Sequence, residues 1–380
     1  MRFHALDSWR GIAALLVVLV HLSANGAFYE FPPVRHGGLS VPFFFVLSGF
    51  VISHAYGARL RNSAEVGQFV LRRVGRLYPL HIVMLGVLVL LELVKWVLVR
   101  HGAPSGQAPF AGANDLPSLI ANVFLLQAIV PLPDYSWNVP SWSISVEFYT
   151  YLIFCMVAVR ARSIAPALLI VLLSGAVLLV LEIAEPTLKE TQFRGLASCV
   201  CGFFAGHLVY HAFRQLRRPA PALATLFEVL AVMVLIGLYW FRPLEATSSI
   251  LVFAGVVLVF AFDGGAVSRL LRGRPWAFLG KISYSIYMVH FVLLSLLGGI
   301  IRGAQALLHR KLYHDIAGTP MIDFGPTGTM DALALLYVLV VVGVATLTYR
   351  WVEMPGQGLF HQLGRRWSNA ASRAASATQS

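Results

Sequence analysis

Charged residues are scarce in this chain, and their scarcity excludes a water-soluble fold. Only 12% of the 380 residues are Asp, Glu, Lys or Arg, and 58% are hydrophobic, whereas soluble domains carry about 25% charged residues. A soluble chain of this length could not cover its surface with so few charges. The sequence therefore predicts a protein whose solvent is the lipid bilayer.

Cysteines and the signatures of soluble enzymes are also few. Cys155, Cys199 and Cys201 are an odd trio inside apolar runs, so they can form neither a disulfide framework nor a four-ligand zinc site. The chain has no P-loop, no GxGxxG turn, no GxSxG elbow and no carboxylate-rich metal cage. We expect three buried thiols, no metal and no permanently bound cofactor.

Long apolar runs, by contrast, are abundant. A membrane-spanning helix needs about 20 mostly apolar residues, and ten runs approach or exceed this length: 11–29, 39–57, 76–99, 140–160, 163–183, 193–213, 222–241, 246–263, 282–301 and 332–351. The stretch 116–131 is bracketed by prolines and too short to cross, so we predict an interfacial or re-entrant segment. The fold class is all-α, a polytopic bundle of about ten transmembrane helices.

Basic residues lie between these runs, and the chain has 29 Lys and Arg against 17 Asp and Glu. We interpret this excess as an indicator of which loops face the cytoplasm. We expect no nucleic-acid partner. With ten spans and both termini cytoplasmic, residues 101–137 and 303–330 face outward, and 20 of the 29 basic residues lie inside. The inner residues are Arg2, Arg10, Arg59, Arg61, Arg72, Arg73, Arg76, Arg160, Arg162, Arg214, Arg217, Arg218, Arg269, Arg272, Arg274, Lys281, Arg350, Arg365, Arg366 and Arg373. We expect a membrane domain at 1–355 and a disordered cytoplasmic tail at 356–380, which is small, polar and basic.

Ionisable residues inside spans are costly and mark candidate sites. Arg10 and His21 are eleven residues apart, so both lie on nearly one helix face, about 16 Å apart along the axis. This spacing predicts Arg10 at the cytoplasmic mouth and His21 near mid-membrane. The alternatives are a snorkelling anchor for Arg10 and a structurally satisfied imidazole for His21.

Three further groups of polar residues occur within spans. Ser143 and Glu147 share a face of the fourth span, where Glu147 indicates either a site residue or a bundle ion pair. Arg73 and Arg76 open the third span, and their guanidinium groups suit phosphate, although the positive-inside rule also explains them. The ninth span carries a polar stripe at helical spacing that begins with a cytoplasmic lysine: Lys281, Ser283, Tyr287 and His290.

Six stretches follow one another along residues 5 to 355: Ala5 to Ala14 with His21, Phe43 to Phe50, the Arg73/Arg76 pair, Trp142 to Glu147, Ser283 to His290, and Glu353 to Pro355. In this order they resemble the acyltransferase-3 family of integral membrane O-acyltransferases. The family's Arg and His pair maps onto Arg10 and His21, and its Arg-x-x-Arg onto Arg73 and Arg76.

The resemblance implies ten transmembrane helices in a bacterial cytoplasmic (inner) membrane. It also implies a cytoplasmic acyl-CoA co-substrate, with acetyl expected as the group transferred, and a carbohydrate acceptor, commonly a sugar hydroxyl of a surface or exported glycan. No fused hydrolase-like domain, which some members carry, follows the last span, so we expect the chain to act alone or with a separate partner.

The catalytic residues that we predict are His21, Arg10, Glu147 and His290. His21 acts either as general base on the acceptor hydroxyl or as a nucleophile that carries the acyl group, and Asp7 or Glu147 orients its imidazole. His290 is the second candidate base or an orienting partner. The donor-binding residues are Arg10, Arg73, Arg76, Lys281, Ser283 and Tyr287.

Two other function classes fit the same residues less well. An anion transporter or channel would use the same arginine-lined mouth and buried histidines. A signalling or scaffold membrane protein would need none of them in place.

Overall fold

A computed structural model describes residues 2–57, 59–102, 106–130, 132, 136–161, 163–184, 193–241, 246–316 and 318–377. Helices dominate these residues: α1 (His4–Leu22), α2 (Ala27–Glu30), α3 (Pro32–Arg35), α4 (Ser40–Tyr56), α5 (Ser63–Arg100), α6 (Leu116–Val123), α7 (Trp142–Arg160), α8 (Ala165–Ala184), α9 (Phe193–Gln215), α10 (Pro221–Phe241), α11 (Ala246–Ala261), α12 (Ala266–Leu271), α13 (Arg274–Leu308), α14 (Thr327–Thr348) and α15 (Met354–Ala377). A π-helical turn at Tyr349–Glu353 joins α14 to α15.

Nine helical segments in the described residues are long and apolar enough to cross a membrane. They correspond to nine of the ten expected spans, which confirms an all-α polytopic membrane protein. The tenth corresponds to α11, which the structure describes over the 16 residues Ala246–Ala261. Within the described residues 116–130, the one α-helix is the eight-residue α6, and an interfacial or re-entrant placement stays a prediction.

The ends of the helices differ from the ends of the apolar runs, because a helix can extend beyond the apolar residues that lie in the membrane. α5 begins at Ser63, where the Asn62 side chain caps it by accepting the Glu65 amide. Arg73 and Arg76 therefore lie about three turns inside α5, not at its start. α1 ends at Leu22 because Ser23 adopts a left-handed conformation, so His21 lies in the last turn and not at mid-helix.

A small β-hairpin occurs in a segment for which the sequence predicts only an outer loop. Strands β1 (Tyr313–Ile316) and β2 (Thr319–Ile322) pair antiparallel, with Tyr313 opposite Ile322. The Ile322 amide donates to the Ser23 carbonyl and the Asn25 amide to the Ile322 carbonyl. The hairpin thus attaches to the chain just beyond the end of α1 that carries His21.

The chain divides into two compact units. The first unit comprises Met1–Phe44 and Leu216–Thr346, and the second comprises Phe45–Gln215 and Leu347–Ser380. In the first unit, α1 packs against α13 at unusually short range: a Cβ at Gly11 would lie 2.6 Å from the Gly280 nitrogen. Small residues permit such backbone approach between membrane helices.

In the second unit, the first part of α15 lies against α5, in a segment for which composition predicts a disordered tail. Added Cβ atoms would bring Gly356 against Pro79 and Gly75 against Phe360. These glycines let the two helices approach closely, so a segment that is only weakly apolar gains a packing partner that its composition does not reveal.

Candidate functional site

Two histidines predicted from separate spans meet in the first unit. The rings of His21 on α1 and His290 on α13 have centroids 5.1 Å apart, tilted by 57°. His290 is fully buried, whereas His21 is partly accessible. The structure therefore brings together the two imidazoles that sequence analysis proposed as first and second candidate base.

The hydrogen bonds of both rings identify which ring nitrogen carries the proton. His21 Nδ1 lies 2.7 Å from the Val17 carbonyl oxygen, and His290 Nδ1 lies 2.7 Å from that of Tyr287. A carbonyl oxygen can only accept, so each Nδ1 carries the proton and each neutral ring presents a proton-free Nε2. The partner of His21 is thus a main-chain carbonyl, which corrects the expectation that Asp7 or Glu147 orients it.

The Nε2 atom of His290 is buried and has no hydrogen-bond partner in the described part of the chain. A buried polar atom without a partner is costly and is rare in folded proteins. A lone pair of this kind, beside a second imidazole, suits a hydroxyl group supplied by a ligand.

Two tyrosines flank His290. The Tyr287 ring packs 5.9 Å from the His290 ring and 5.9 Å from Phe44, so this predicted donor-binding residue lies buried beside the histidine pair. From α14, the Tyr337 hydroxyl donates to the His290 carbonyl over 2.6 Å. Tyr337 was not predicted, since nothing in its own apolar run distinguishes it.

Arg10 lies at the other end of the α1–α13 contact. Its Nε donates to Ser283 Oγ over 2.9 Å and its Nη2 to the Gly280 carbonyl over 3.0 Å. The same Nη2 lies 3.3 Å from an Asp7 carboxylate oxygen. Arg10 and Ser283 are therefore brought together as expected, but several Arg10 donors are used inside the protein. Lys281 is exposed on α13.

These contacts show that α1 and α13 run parallel. Arg10 lies beside Gly280, and His21 lies beside His290. Each helix advances about 15–16 Å between these two points. The first unit thus holds a guanidinium group and an imidazole pair at two fixed points along one helix pair.

Glu147 occupies a separate polar cluster in the second unit. Its carboxylate accepts hydrogen bonds from the Ser48 hydroxyl and, over 2.7 Å, from the Tyr151 hydroxyl. Ser143 instead donates to the Pro140 carbonyl. Tyr151 follows Glu147 by four residues and so shares its helix face, a signal that sequence analysis could have used.

Arg73 is surrounded by aromatic rings. Its guanidinium carbon lies 5.5 Å from the Tyr56 ring, 5.7 Å from Phe69 and 5.9 Å from Tyr151, all within cation–π range. Its Nε is buried without a hydrogen-bond partner, and no described carboxylate pairs with it. Arg73 therefore carries a charge that an anionic ligand could neutralise.

Arg76, by contrast, has an internal counter-ion. Its Nη1 forms an ion pair with the Glu353 carboxylate, which is 1% exposed, and Gln357 donates to the same carboxylate over 3.2 Å. The two arginines of the pair thus differ: Arg73 has no carboxylate partner among the described residues, and Arg76 connects α5 to the turn that begins α15.

Comparison with known proteins decides the family. Residues 3–350 match the acyltransferase-3 family, described as an acyltransferase domain. The chain belongs to this family. It is therefore a multi-pass membrane O-acyltransferase, which sets aside the transporter and scaffold alternatives.

Several relatives carry names that agree with this assignment. The chain is 26% identical to Acyltransferase MdmB of Streptomyces mycarofaciens, over 96% of this chain and 94% of that protein. It is 22% identical to Peptidoglycan O-acetyltransferase OatA of Listeria monocytogenes, over 92% of this chain but 55% of the relative. Putative peptidoglycan O-acetyltransferase YrhL of Bacillus subtilis is 25% identical, with 54% of its length covered. No solved structure matches the chain.

Proposed function

We propose that this O-acyltransferase moves an acetyl group from cytoplasmic acyl-CoA to a sugar hydroxyl of a surface or exported glycan. The names of two relatives include peptidoglycan O-acetyltransferase, which favours a glycan acceptor. The observation that carries the proposal is the His21–His290 pair. The two ring centroids are 5.1 Å apart, and each ring has a proton-free Nε2.

The chemistry follows from these two nitrogens. A sugar hydroxyl is a poor nucleophile, and a positioned imidazole base typically contributes about 10²–10⁴-fold. In direct transfer, His21 Nε2 takes the hydroxyl proton while the oxygen attacks the thioester carbonyl. The C–S bond then breaks, and the imidazolium returns the proton to the CoA thiolate. His290 Nε2 accepts a hydrogen bond from a bound water or from a second sugar hydroxyl, because the single proton of the reacting hydroxyl goes to His21.

An acyl-histidine relay uses the same atoms in two steps. His21 Nε2 attacks the thioester carbonyl, and the C–S bond breaks with release of the thiolate. The acceptor hydroxyl then attacks the acyl-imidazolium, the N–acyl bond breaks, and the hydroxyl proton passes through a base to balance the thiolate. The accessible His21 suits the nucleophile in this sequence, and the buried His290 suits the base that receives the acceptor proton.

For the membrane, we propose a bacterial cytoplasmic bilayer with both termini cytoplasmic, because that arrangement puts 20 of 29 basic residues inside. The donor phosphates would then meet cytoplasmic basic groups, and the acceptor would approach from the outer side.

Purified protein tests the function directly. We expect release of free thiol from acetyl-CoA that depends on a carbohydrate acceptor, with a gain of one acetyl mass on the sugar. Thiol release without acceptor acylation would contradict the carbohydrate assignment. Absence of thiol release from acyl-CoA donors of several chain lengths would contradict the donor.

A further inference from the structure

Helix α15 places additional basic groups beside the arginines of α5. The two helices run antiparallel with contacts at four-residue steps, since Gly356 faces Pro79, Phe360 faces Gly75 and Gly364 faces Leu71. His361 directly follows Phe360, and Arg365 directly follows Gly364. His361 and Arg365 therefore lie next to the residues of α15 that contact α5 near Gly75 and Leu71.

Four basic side chains gather at this place, and we call them the α5–α15 basic cluster: Arg72, Arg73, His361 and Arg365. The charges of the three arginines act on the His361 imidazole, and the Tyr56 hydroxyl lies within hydrogen-bonding reach of Arg72 and Arg73. His361 and Arg365 are exposed, and Arg72 and Arg73 are partly buried.

The cluster has no internal counter-ion in the described part of the chain. Glu353, the acidic residue on the turn before α15, pairs with Arg76, and no ion pair is formed by a cluster member. Gathering like charges on two packed helices is unfavourable unless an anion neutralises them. Guanidinium groups in particular match the oxygens of phosphate.

We propose that the α5–α15 basic cluster is a phosphate-binding site, that it takes the phosphate groups of the acyl donor, and that α15 supplies half of it through His361 and Arg365. The donor assignment rests on the proposed function. The phosphate chemistry does not, because the headgroup of an anionic lipid presents the same oxygens. The C-terminal helix is then part of the binding machinery, although its sequence favours a solvated tail.

A double variant with a matched control tests this site. His361→Ala with Arg365→Gln removes the α15 half of the cluster. Arg366→Gln removes an equally exposed arginine that lies about 100° further round the same helix. CoA and inorganic pyrophosphate binding are measured in detergent, with acetyl-CoA kinetics in parallel and a thermal melt to verify folding.

We expect the double variant to weaken CoA and pyrophosphate binding about tenfold and to raise KM for acetyl-CoA about tenfold at unchanged kcat. Arg366→Gln should stay within about twofold of the parent for every quantity. Equal affinities in the double variant and Arg366→Gln would overturn the inference and leave the proposed function standing.

Vesicles separate the two sources of phosphate. If the parent protein binds pyrophosphate through the cluster but releases no thiol from acyl-CoA, the proposed function fails and the phosphate site stands. If the double variant loses affinity for phosphatidylglycerol vesicles over phosphatidylcholine vesicles while its CoA affinity is unchanged, the donor assignment is overturned in favour of a lipid headgroup.

Discussion

His21 and His290 face each other with their ring centroids 5.1 Å apart, and each donates its Nδ1 proton to a main-chain carbonyl of its own helix. Backbone carbonyls do not titrate, so this arrangement fixes both tautomers without a carboxylate. The two rings differ in accessibility, because His290 is fully buried and His21 is not. That difference suits one ring to the chemical step and the other to positioning.

His290→Ala should therefore raise KM for the acceptor more than it lowers kcat, because the variant loses a hydrogen-bond acceptor for a second sugar hydroxyl or a bound water and keeps His21, the proposed base. Removal of one such contact costs about 1–2 kcal/mol, or roughly 5–30-fold. Steady-state kinetics with varied acceptor at saturating acetyl-CoA measures the split. A kcat lost entirely at unchanged KM would assign His290 the chemical step instead.

The Arg73 and Arg76 side chains should respond differently to substitution. Arg76→Gln breaks the ion pair with buried Glu353 and should destabilise the protein by about 3–5 kcal/mol, measured as a lower melting temperature in detergent. Arg73→Gln should leave the melting temperature nearly unchanged and weaken CoA binding, because no described carboxylate pairs with it.

Charge reversal provides the control for this ion pair. Arg76→Glu and Glu353→Arg should each lower the melting temperature, and their combination should recover most of the loss. Additive losses in the double variant would show that the ion pair is not what holds α15 against α5.

Close packing of α1 on α13 predicts a strict requirement for glycine. Gly11→Ala would place a methyl group 2.6 Å from the Gly280 nitrogen, so we expect a loss of about 1–3 kcal/mol from overpacking. Gly299→Ala on α13 is the matched control, because a Cβ there meets nothing within 4 Å. Thermal melts that ranked Gly299→Ala as the more damaging change would contradict the packing described for Gly11.

Topology is testable by cysteine labelling, because the three native cysteines are buried. A cysteine at Ala108 should react with an impermeant reagent in intact cells, and one at Ala64 only after permeabilisation. Both positions are exposed. The reverse pattern would place the termini outside and contradict the positive-inside assignment.

Much of the fold was predictable, because a helix that crosses the hydrocarbon core of a membrane needs about 20 mostly apolar residues. Nine runs correspond to long apolar helices and the tenth to α11, and α6 is short where prolines bracket its segment. Helix ends were less predictable, since α5 is set by the Asn62 cap and α1 by the left-handed Ser23. Asn62 lies outside the apolar runs, and Ser23 lies within the run 11–29, whose composition does not indicate where α1 ends.

The site was predictable where residues lie on one helix, as with Arg10 and His21, or where a polar stripe follows helical spacing, as with Ser283 and His290. Contacts across long separations were not. Arg76 and Glu353 are 277 residues apart, and sequence spacing gives no reason to pair them. The main-chain partner of His21 was also missed, because every helical residue offers a carbonyl and only the rotamer selects one.

The most direct test of the account is acetyl transfer by His21→Ala, with His54→Ala, His101→Ala and His309→Ala as controls. His101 and His309 lie at the ends of α5 and α13, and His54 packs against Tyr210 in the second unit. Thiol release and acceptor acylation are measured for each variant, with CoA binding and a thermal melt to establish that each protein is folded. We expect His21→Ala to bind CoA and remain folded but to transfer no acetyl group, while the three controls remain active. Transfer at the parent rate by folded His21→Ala would contradict the central claim.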